Sequence, residues 1–401
     1  MKKISLWGLL LLMFMVVFAV AACASRETKN ASGETDQKQT VTEEPSSEVN
    51  GDTGEEYSEP PAESGQIEEN PDDDKKEVSV LNSNETGKEK KEQVSQDQKA
   101  GGASAPLKEP ETVRQVALKV TRDFGTQVIF NKKVEIKNNQ TIMELLEANL
   151  DIETDWDGGF IKGINGLISD KGGLSGKRTD WFYYVNGICS DVGADGYAPA
   201  PGETIWWDYH LWQSMGSAIS AVIGCYPEPF IHGYEGKIGA TTIMSTQEKS
   251  ALAEKLKQAL TDQGVKTVNL SGLDEGKLAK RTGPVIALGE WQELNQVKWL
   301  EDFNKAYRKT GTGVHFTDPE AELVKYNGEL DQAVSGSVGV IVATGSGLGD
   351  ESPLWLVAGT DEKGLEQAIN VLVNTPEKIN GLYSAAIVNG EIVCLPIQDK
   401  E

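Results

Sequence analysis

The stretch from Trp181 to Trp212 constrains the fold more than any other part of the chain. It reads WFYYVNGICSDVGADGYAPAPGETIWWDYHLW, and no other stretch has its density of aromatic side chains. Aromatic and β-branched residues suit a pleated, half-buried surface, and an Asn-Gly pair between apolar runs is a strong hairpin signal. We therefore predict two aromatic strands here, with a turn at Asn186-Gly187.

Strand periodicity divides the second aromatic run between two faces, because successive side chains of a strand point to opposite sides. One face would carry Ile205, Trp207, Tyr209 and Leu211, and the other Trp206, Asp208, His210 and Trp212. We expect the first set to be core. An exposed aromatic face usually marks a binding site, so the second set, together with Asn186, is the candidate ligand-binding surface. The alternative is that the following domain covers this face. A metal-ligating role for His210 competes with the commoner structural role of a single imidazole.

The amino terminus predicts the location. Lys2 and Lys3 precede an apolar run that ends in Val20-Ala21-Ala22-Cys23, as in a secretory signal of residues 1–22. The cysteine at the cut resembles the lipobox of bacterial lipoproteins. That resemblance implies cleavage before Cys23, lipidation of its thiol and new amino group, and anchoring at the outer face of the cytoplasmic membrane. A transmembrane anchor is the alternative, but the apolar run is short for a span.

Residues 23–112 predict an acidic, disordered stalk. Between residues 24 and 112 there are 23 acidic and 10 basic residues and a single aromatic one, Tyr57. Such a composition cannot bury enough apolar area to offset the entropy of ordering. A cation-binding tract is the alternative to a solvated spacer. The whole chain has 401 residues and a formal net charge of −24, which argues against nucleic acid as a partner.

Residues 113–213 predict a β-grasp-like domain with the order β-β-α-β-β-β. VRQVALKV and the run from Thr126 to Ile136 alternate as half-buried strands do. Thr141 with Glu144 three residues later is a capping box that opens a helix. FIKGINGLI, after Gly158-Gly159, supplies a third strand, and the aromatic runs supply the last two.

This domain resembles a bacterial family related to the C-terminal β-domain of transcobalamin and intrinsic factor, within the soluble-ligand-binding β-grasp group. The resemblance covers about a quarter of the chain. It is carried by Tyr184, Val185, Asn186 and Gly187, and by Gly202, Glu203, Ile205, Trp207 and Tyr209. It implies a capacity for a corrinoid such as cobalamin or a similar planar ligand. In transcobalamin a helical domain completes the site; none is predicted here, so the following domain would have to supply the second wall.

Residues 217–398 alternate strands and helices and predict an α/β sandwich. VGVIVATG and PLWLVAGT are continuous apolar runs, typical of central strands. Helices are predicted over QEKSALAEKLKQALTDQG, EWQELNQVKWLEDFNKAYRK and GLEQAINVLV, further strands over AISAVIGC, ATTIMS, VKTVNL and PVIALG, and a closing hairpin over SAAIVNGEIVCLPI.

Catalytic and metal-binding motifs are missing from the sequence. There is no GxSxG, HExxH or CxxC. The glycine-rich run at 344–349 is followed by acidic residues and a strand, so we interpret it as a loop and not as a phosphate cradle. Four loop aspartates, at 155, 157, 191 and 195, fit no EF-hand spacing and are interpreted as solvated, with calcium as the alternative. Cys225 and Cys394 are expected to be buried thiols.

The sequence thus predicts an α+β, non-enzymatic, extracytoplasmic lipoprotein with no catalytic residues, no metal and no covalent cofactor beyond the lipid. It would bind a small ligand, with cobalamin as the leading candidate, and pass it to a membrane transporter. The alternative is a surface structural or adhesion module without a ligand. An open pocket bearing Trp206 and Trp212 would favour the first hypothesis, and an interdomain seam without such a pocket would favour the second.

Overall fold

The computed structural model of the chain describes residues 114–155, 160–172, 178–212 and 219–398. The predicted signal peptide of residues 1–22, Cys23 and the predicted stalk of residues 23–112 lie outside these ranges. Helices and strands are mixed in several sheets, so the fold class is α+β, as predicted. We refer to residues 114–212 as the first half and to residues 219–398 as the second half.

The first half is built on a five-stranded sheet in the order β2-β1-β8-β6-β7. Its strands are β1 (Gln115–Arg122), β2 (Gln127–Glu135), β6 (Arg178–Val185), β7 (Ile188–Cys189) and β8 (Thr204–Trp212). Strand β1 runs parallel to β8, and the other neighbours are antiparallel. Helix α1 (Ile142–Glu147) packs its apolar side chains into the core of this half.

Thr141 caps helix α1 as the sequence predicts. Its hydroxyl oxygen accepts a hydrogen bond from the Glu144 backbone N–H at 3.2 Å, and the Glu144 carboxylate accepts one from the Thr141 N–H at 3.0 Å. The reciprocal pair satisfies two donors that a helix start leaves free.

A second sheet in this half corrects the prediction of one strand over FIKGINGLI. Three short antiparallel strands form it: β3 (Ile152–Asp155), β4 (Phe160–Ile164) and β5 (Leu167–Ile168). Asn165 and Gly166 separate β4 from β5 with φ values of 49° and 77°. The run therefore contains an Asn-Gly hairpin in place of a single strand.

The second half contains a seven-stranded mixed sheet in the order β10-β9-β11-β16-β15-β17-β18. The strands are β9 (Thr241–Met244), β10 (Val268–Ser271), β11 (Val285–Glu290), β15 (Val338–Thr344), β16 (Leu354–Gly359), β17 (Ser384–Val388) and β18 (Glu391–Leu395). The two continuous apolar runs are β15 and β16, next to each other inside the sheet, which confirms their prediction as central strands. A separate three-stranded sheet, which the sequence analysis missed, consists of β12 (Val314–Thr317), β13 (Glu320–Val324) and β14 (Leu330–Val334).

The helices of the second half lie between these strands. They are α2 (Ser250–Asp262), α3 (Glu275–Ala279), α4 (Trp291–Leu294), α5 (Lys298–Lys305), α6 (Tyr307–Thr310) and α7 (Glu362–Asn374). The single helix predicted over residues 290–309 is therefore three short ones. Asn295 ends α4 at its C-cap, and Val297 begins α5 at its N-cap.

Two further predictions for the second half are wrong. The apolar run AISAVIGC is not a strand where the structure describes it, from Ile219 on, and makes only the isolated bridge between Ala221 and Ile188. Cys394 is exposed, whereas Cys189 and Cys225 are buried, and all three are free thiols.

Three hydrophobic cores and one seam hold the described residues together. One core lies between the five-stranded sheet and α1, and the other two lie on opposite faces of the seven-stranded sheet. The fourth cluster, which we call the aromatic seam, joins the two halves through Phe124, Tyr184, Cys189, Trp206, Ile219, Val222, Cys225 and Tyr383. Both halves belong to one compact unit, and the predicted domain boundaries at residues 213 and 217 stay a prediction.

Gly125 offers a test of how closely the two halves approach. A Cβ at Gly125 would lie 1.8 Å from the carbonyl oxygen of Gly381, whereas one at Gly166 would have no heavy atom within 4 Å. Both glycines have positive φ, 83° and 77°. We expect Gly166→Ala to lower the free energy of unfolding by about 1 kcal/mol through backbone strain alone. Gly125→Ala should lower it by roughly 3 kcal/mol, because overpacking adds to the strain.

Urea unfolding of the full chain, followed by tryptophan fluorescence, measures both variants. Equal losses for the two would show that the halves do not press on each other at Gly125.

Candidate functional site

Asn186 braces the turn that the sequence analysis singled out. It lies between β6 and β7 with φ of 52°, followed by Gly187 at 80°. The Asn186 side chain is fully buried. Its oxygen accepts a hydrogen bond from the Thr204 N–H at 2.8 Å, and its nitrogen donates to the Gly233 carbonyl at 2.8 Å and to Glu203 Oε1 at 3.3 Å. Asn186 thus ties the hairpin to the start of β8 and to the second half.

The two faces of β8 separate as period two predicts, except that Leu211, predicted to be core, is half-buried and outside the core clusters. Ile205, Trp207 and Tyr209 belong to the core of the first half. Trp206 belongs to the aromatic seam, and Asp208 and His210 contact seam residues. Trp212, at the end of β8, is half-buried, with the Arg178 guanidinium 5.7 Å from its ring centroid.

Trp206 is packed on all sides. It is completely buried, and its indole N–H donates to the Thr121 hydroxyl at 2.7 Å. Its ring lies 5.1 Å from that of Tyr383, edge to face, and 5.8 Å from that of Tyr184. Aromatic pairs in such tilted and edge-to-face arrangements contribute about 0.5–1.5 kcal/mol beyond their burial.

The Asp208 carboxylate is also fully buried, and four donors surround it. The backbone N–H groups of Phe124 and Gly125 donate to it at 3.0 and 2.9 Å, and the Thr121 hydroxyl donates to Oδ1. His210 Nδ1 lies 2.9 Å from Oδ2. A buried carboxylate is stable only when its lone pairs are occupied in this way.

His210 is buried and packs against aromatic rings. Its ring lies between those of Phe182 and Phe124, with centroids 4.4 and 4.3 Å away, and its Nδ1 lies 3.3 Å from the Tyr383 hydroxyl. Within the described ranges, no three His, Cys, Asp or Glu side chains gather as metal ligands.

Little space remains beside these residues. The cavity lined by His210 and Trp212, with Phe124, Phe182, Ile219 and Tyr326 among its walls, has a volume of about 20 Å³. That is room for about one water molecule. The structure therefore brings Trp206, Asp208 and His210 together in a filled seam, places Asn186 at a brace and Trp212 at the seam's edge, and leaves their ligand-binding role a prediction.

A larger cleft, which is not among the predicted sites, opens at the other end of the same face. It has a volume of about 390 Å³ and lies between the first half, at β1, β2 and β8, and the second half, at the loop 224–232 and Asn380. The chemically active side chains along it are Lys119, Lys133, Cys225, Glu228, His232 and Asn380. We call it the Lys119 cleft.

Glu228 and His232 form a pair on one wall of the Lys119 cleft. The Glu228 carboxylate accepts from the His232 backbone N–H at 2.9 Å and contacts His232 Nδ1. Burial raises the pKa of Glu228, and the bonds to His232 oppose that shift. Burial also raises the pKa of the Cys225 thiol to about 12, so this thiol stays protonated and is a poor nucleophile.

Two sequence signals point to this cleft once the fold is known. One is a lysine within the apolar strand VRQVALKV, and the other is a Glu and a His four residues apart in the loop EPFIH. Neither signal shows which distant residues it will meet, because Lys119 and Asn380 are 261 positions apart.

One comparison with known protein families gives a match. Residues 139–211 match a domain family described as a domain of unknown function, DUF4430. The match begins before α1 and ends in β8, so it contains Asn186 and the aromatic stretch except Trp212, but not β1. No curated protein matches the chain. No helix in the part of the chain that the structure describes is long and apolar enough to cross a membrane.

Asp208 should contribute strongly to stability if the seam depends on its carboxylate. We expect Asp208→Asn to lower the free energy of unfolding by about 3 kcal/mol, because an amide cannot accept from all four donors and leaves buried groups unpaired. The matched control is Asp123→Asn in the adjacent turn, where the half-buried carboxylate pairs with Arg122 at 2.7 Å. Such a pair contributes about 1 kcal/mol or less.

The two variants are compared by urea unfolding of the full chain. A loss for Asp208→Asn no larger than that for Asp123→Asn would contradict the role assigned to the seam carboxylate.

Proposed function

We propose that this protein is a membrane-tethered extracytoplasmic lipoprotein that binds a small ligand in the Lys119 cleft and passes it to a membrane transporter. The signal sequence, Cys23 and the acidic stalk support the tether. The signal sequence supports a location outside the cytoplasm, where a stalk would hold the folded part away from the lipid surface.

The observation that carries the proposal is the position and lining of the cleft. Ligand pockets occur preferentially where two folded parts meet, and they combine apolar walls with a few converging polar groups. The cleft has both features, with Ala117 and Ile231 beside Lys119 and His232. Burial lowers the pKa of Lys119 and raises that of Glu228. Shifted pKa values of this kind cluster at functional sites.

A corrinoid is the first ligand to test, because the sequence of the first half resembles transcobalamin-type β-grasp domains. The cleft volume of about 390 Å³ lies near the lower end of the roughly 300–1,000 Å³ typical of ligand pockets. A corrinoid would therefore be held by one edge, with the rest of the macrocycle outside. A smaller polar molecule would fill the cleft.

The second candidate function is a surface structural or adhesion module. The filled aromatic seam favours it, because Trp206, Asp208 and His210 already have partners within the protein. In that case the aromatic stretch holds the two halves together and no small ligand is transported. The two candidates differ in whether the Lys119 cleft is occupied in use.

Tryptophan fluorescence tests the corrinoid directly. Lys119 lines the cleft and its ammonium lies 5.6 Å from the Trp206 ring centroid, so an absorbing ligand in the cleft comes close to an indole. We expect cobalamin or cobinamide to quench the emission of the full chain, purified in detergent, with a saturating dependence at micromolar ligand. The same titration of free tryptophan in the same detergent corrects for absorption by the ligand.

Quenching no stronger than that control would exclude the corrinoid. A thermal-shift screen of small polar molecules would then decide between another ligand and the structural module.

Lipidation of Cys23 is tested in cells. We expect a Cys23→Ser precursor to incorporate no labelled palmitate and to be released from the membrane fraction, because serine lacks the thiol that is acylated. A matched Cys394→Ser variant, which changes an exposed cysteine of the folded part, should be labelled like the wild type. Continued labelling of the Cys23→Ser chain would refute the assignment.

A further inference from the structure

Lys119 is a buried cation in the middle of a sheet. It lies on β1, between β2 and β8, and only 7% of the residue is exposed. Its strand neighbours Leu118 and Val120 point into the core of the first half, and Lys119 points to the opposite face. Lysine is almost never buried to this degree unless it is paired, because removing an ammonium from water is costly.

The Lys119 ammonium has no counter-ion among the residues that the structure describes. The ammonium donates one hydrogen bond to the side-chain oxygen of Asn380 and lies 5.6 Å from the Trp206 ring centroid. Among the described residues, no carboxylate lies within 4.0 Å of it. The acidic residue of the cleft, Glu228, is engaged by His232. An ammonium has three donors, so two of them have no acceptor among the described side chains and backbone groups.

The backbone next to Lys119 leaves room for the ammonium. A Cβ on Gly381 would lie 2.9 Å from the Lys119 nitrogen, and Gly381 has a φ of 80° that favours glycine. Asn380 is exposed, so its side-chain oxygen would be hydrated if the lysine were absent. The position therefore accommodates a cation, and no carboxylate of the described residues pairs with it.

We infer that the Lys119 cleft binds an anionic group, a carboxylate or a phosphate of a small molecule, with Lys119 as its counter-ion. This inference rests on the proposed function, because it requires that the cleft holds a ligand. An anion beside the ammonium would accept the two remaining N–H donors in a charge-assisted geometry. Lys133 also lines the cleft, on the neighbouring strand and exposed, so it adds positive potential at the rim.

The test compares Lys119→Met with Lys133→Met, two variants that remove the same charge from the same cleft. The probes are inorganic phosphate and succinate, each added to the full chain in detergent against sodium chloride of equal ionic strength. Binding is measured as a rise in the thermal midpoint and by isothermal titration. We expect one or both probes to bind the wild type. Lys119→Met should weaken binding by about tenfold or more, as expected for a lost hydrogen bond to a charged group, and Lys133→Met by less than about threefold.

Without added anion, Lys119→Met should unfold at the same or a higher temperature than the wild type, because methionine fills a similar volume without an unpaired charge. A structural lysine would give the opposite result, a lower midpoint in Lys119→Met together with no response of the wild type to either anion. That pair of results would overturn the inference.

The remaining outcomes separate the inference from the proposed function. Binding of phosphate identifies a phosphate-bearing ligand class, and binding of succinate alone identifies a carboxylate. Anion binding that is equal in both variants, or neutral compounds that bind at the cleft while both anions fail, would overturn the anionic ligand and leave the proposed function standing. Failure of anions and neutral compounds alike would overturn both.

Discussion

The buried carboxylate of Asp208 organises the contact between the two halves. It accepts from the backbone of the turn at Phe124 and Gly125, and that turn lies directly against Gly381 of the second half. Through His210 the same carboxylate reaches the Tyr383 hydroxyl. A charge in this position is stable only with every donor in place, so the turn, the imidazole and the tyrosine have to be assembled together. The aromatic rings of the seam then exclude water from around it, which strengthens each of these bonds.

The Lys119 cleft opens where the packing of the aromatic seam ends. Strands β1 and β8 run parallel with Thr121 opposite Asp208, Lys119 opposite Trp206 and Ala117 opposite Thr204. Along this one face the side chains change from a bonded carboxylate, to an indole beside an ammonium, to small residues that line an open space. Seam and cleft are thus two ends of one surface, and the second half covers the first end more closely than the other.

Local patterns in the sequence predict the elements well where one periodicity holds. The two faces of β8, the cap at Thr141 and the central position of β15 and β16 all follow from such patterns. The prediction of one long helix over residues 290–309 is wrong, and no capping residue or glycine in the sequence indicates the break. Leu294 and Leu300 are both fully buried in one core, yet six residues at about 100° each place them roughly 120° apart on a continuous helix. The chain has to break between them so that both can reach the core.

Burial from two sides explains the other failure. The run around Ala221 is apolar because it lies between the aromatic seam and the core of the second half. Its backbone groups are satisfied singly: Gly187 O accepts from Val222 N at 2.9 Å, and Tyr383 O accepts from Ile223 N at 3.2 Å. A continuous apolar run therefore does not distinguish a buried strand from an irregular segment that is buried on both sides.

Prediction of the candidate site from the sequence has the same limit, because the site depends on residues that are far apart in the chain. The residues that stand out in the sequence, Trp206, Asp208 and His210, are accounted for by packing and hydrogen bonds within the protein. Lys119 stands out only after the fold is known, because its burial comes from residues near 225 and 380 that sequence spacing cannot place beside it. The seam residues and Lys119 differ in the free-energy cost of burial. Buried aromatic side chains need no ligand to be stable, whereas a buried ammonium without a counter-ion is stabilised by an anionic ligand. A ligand in the cleft would contact both halves at once, so its binding would also stabilise their contact by mass action.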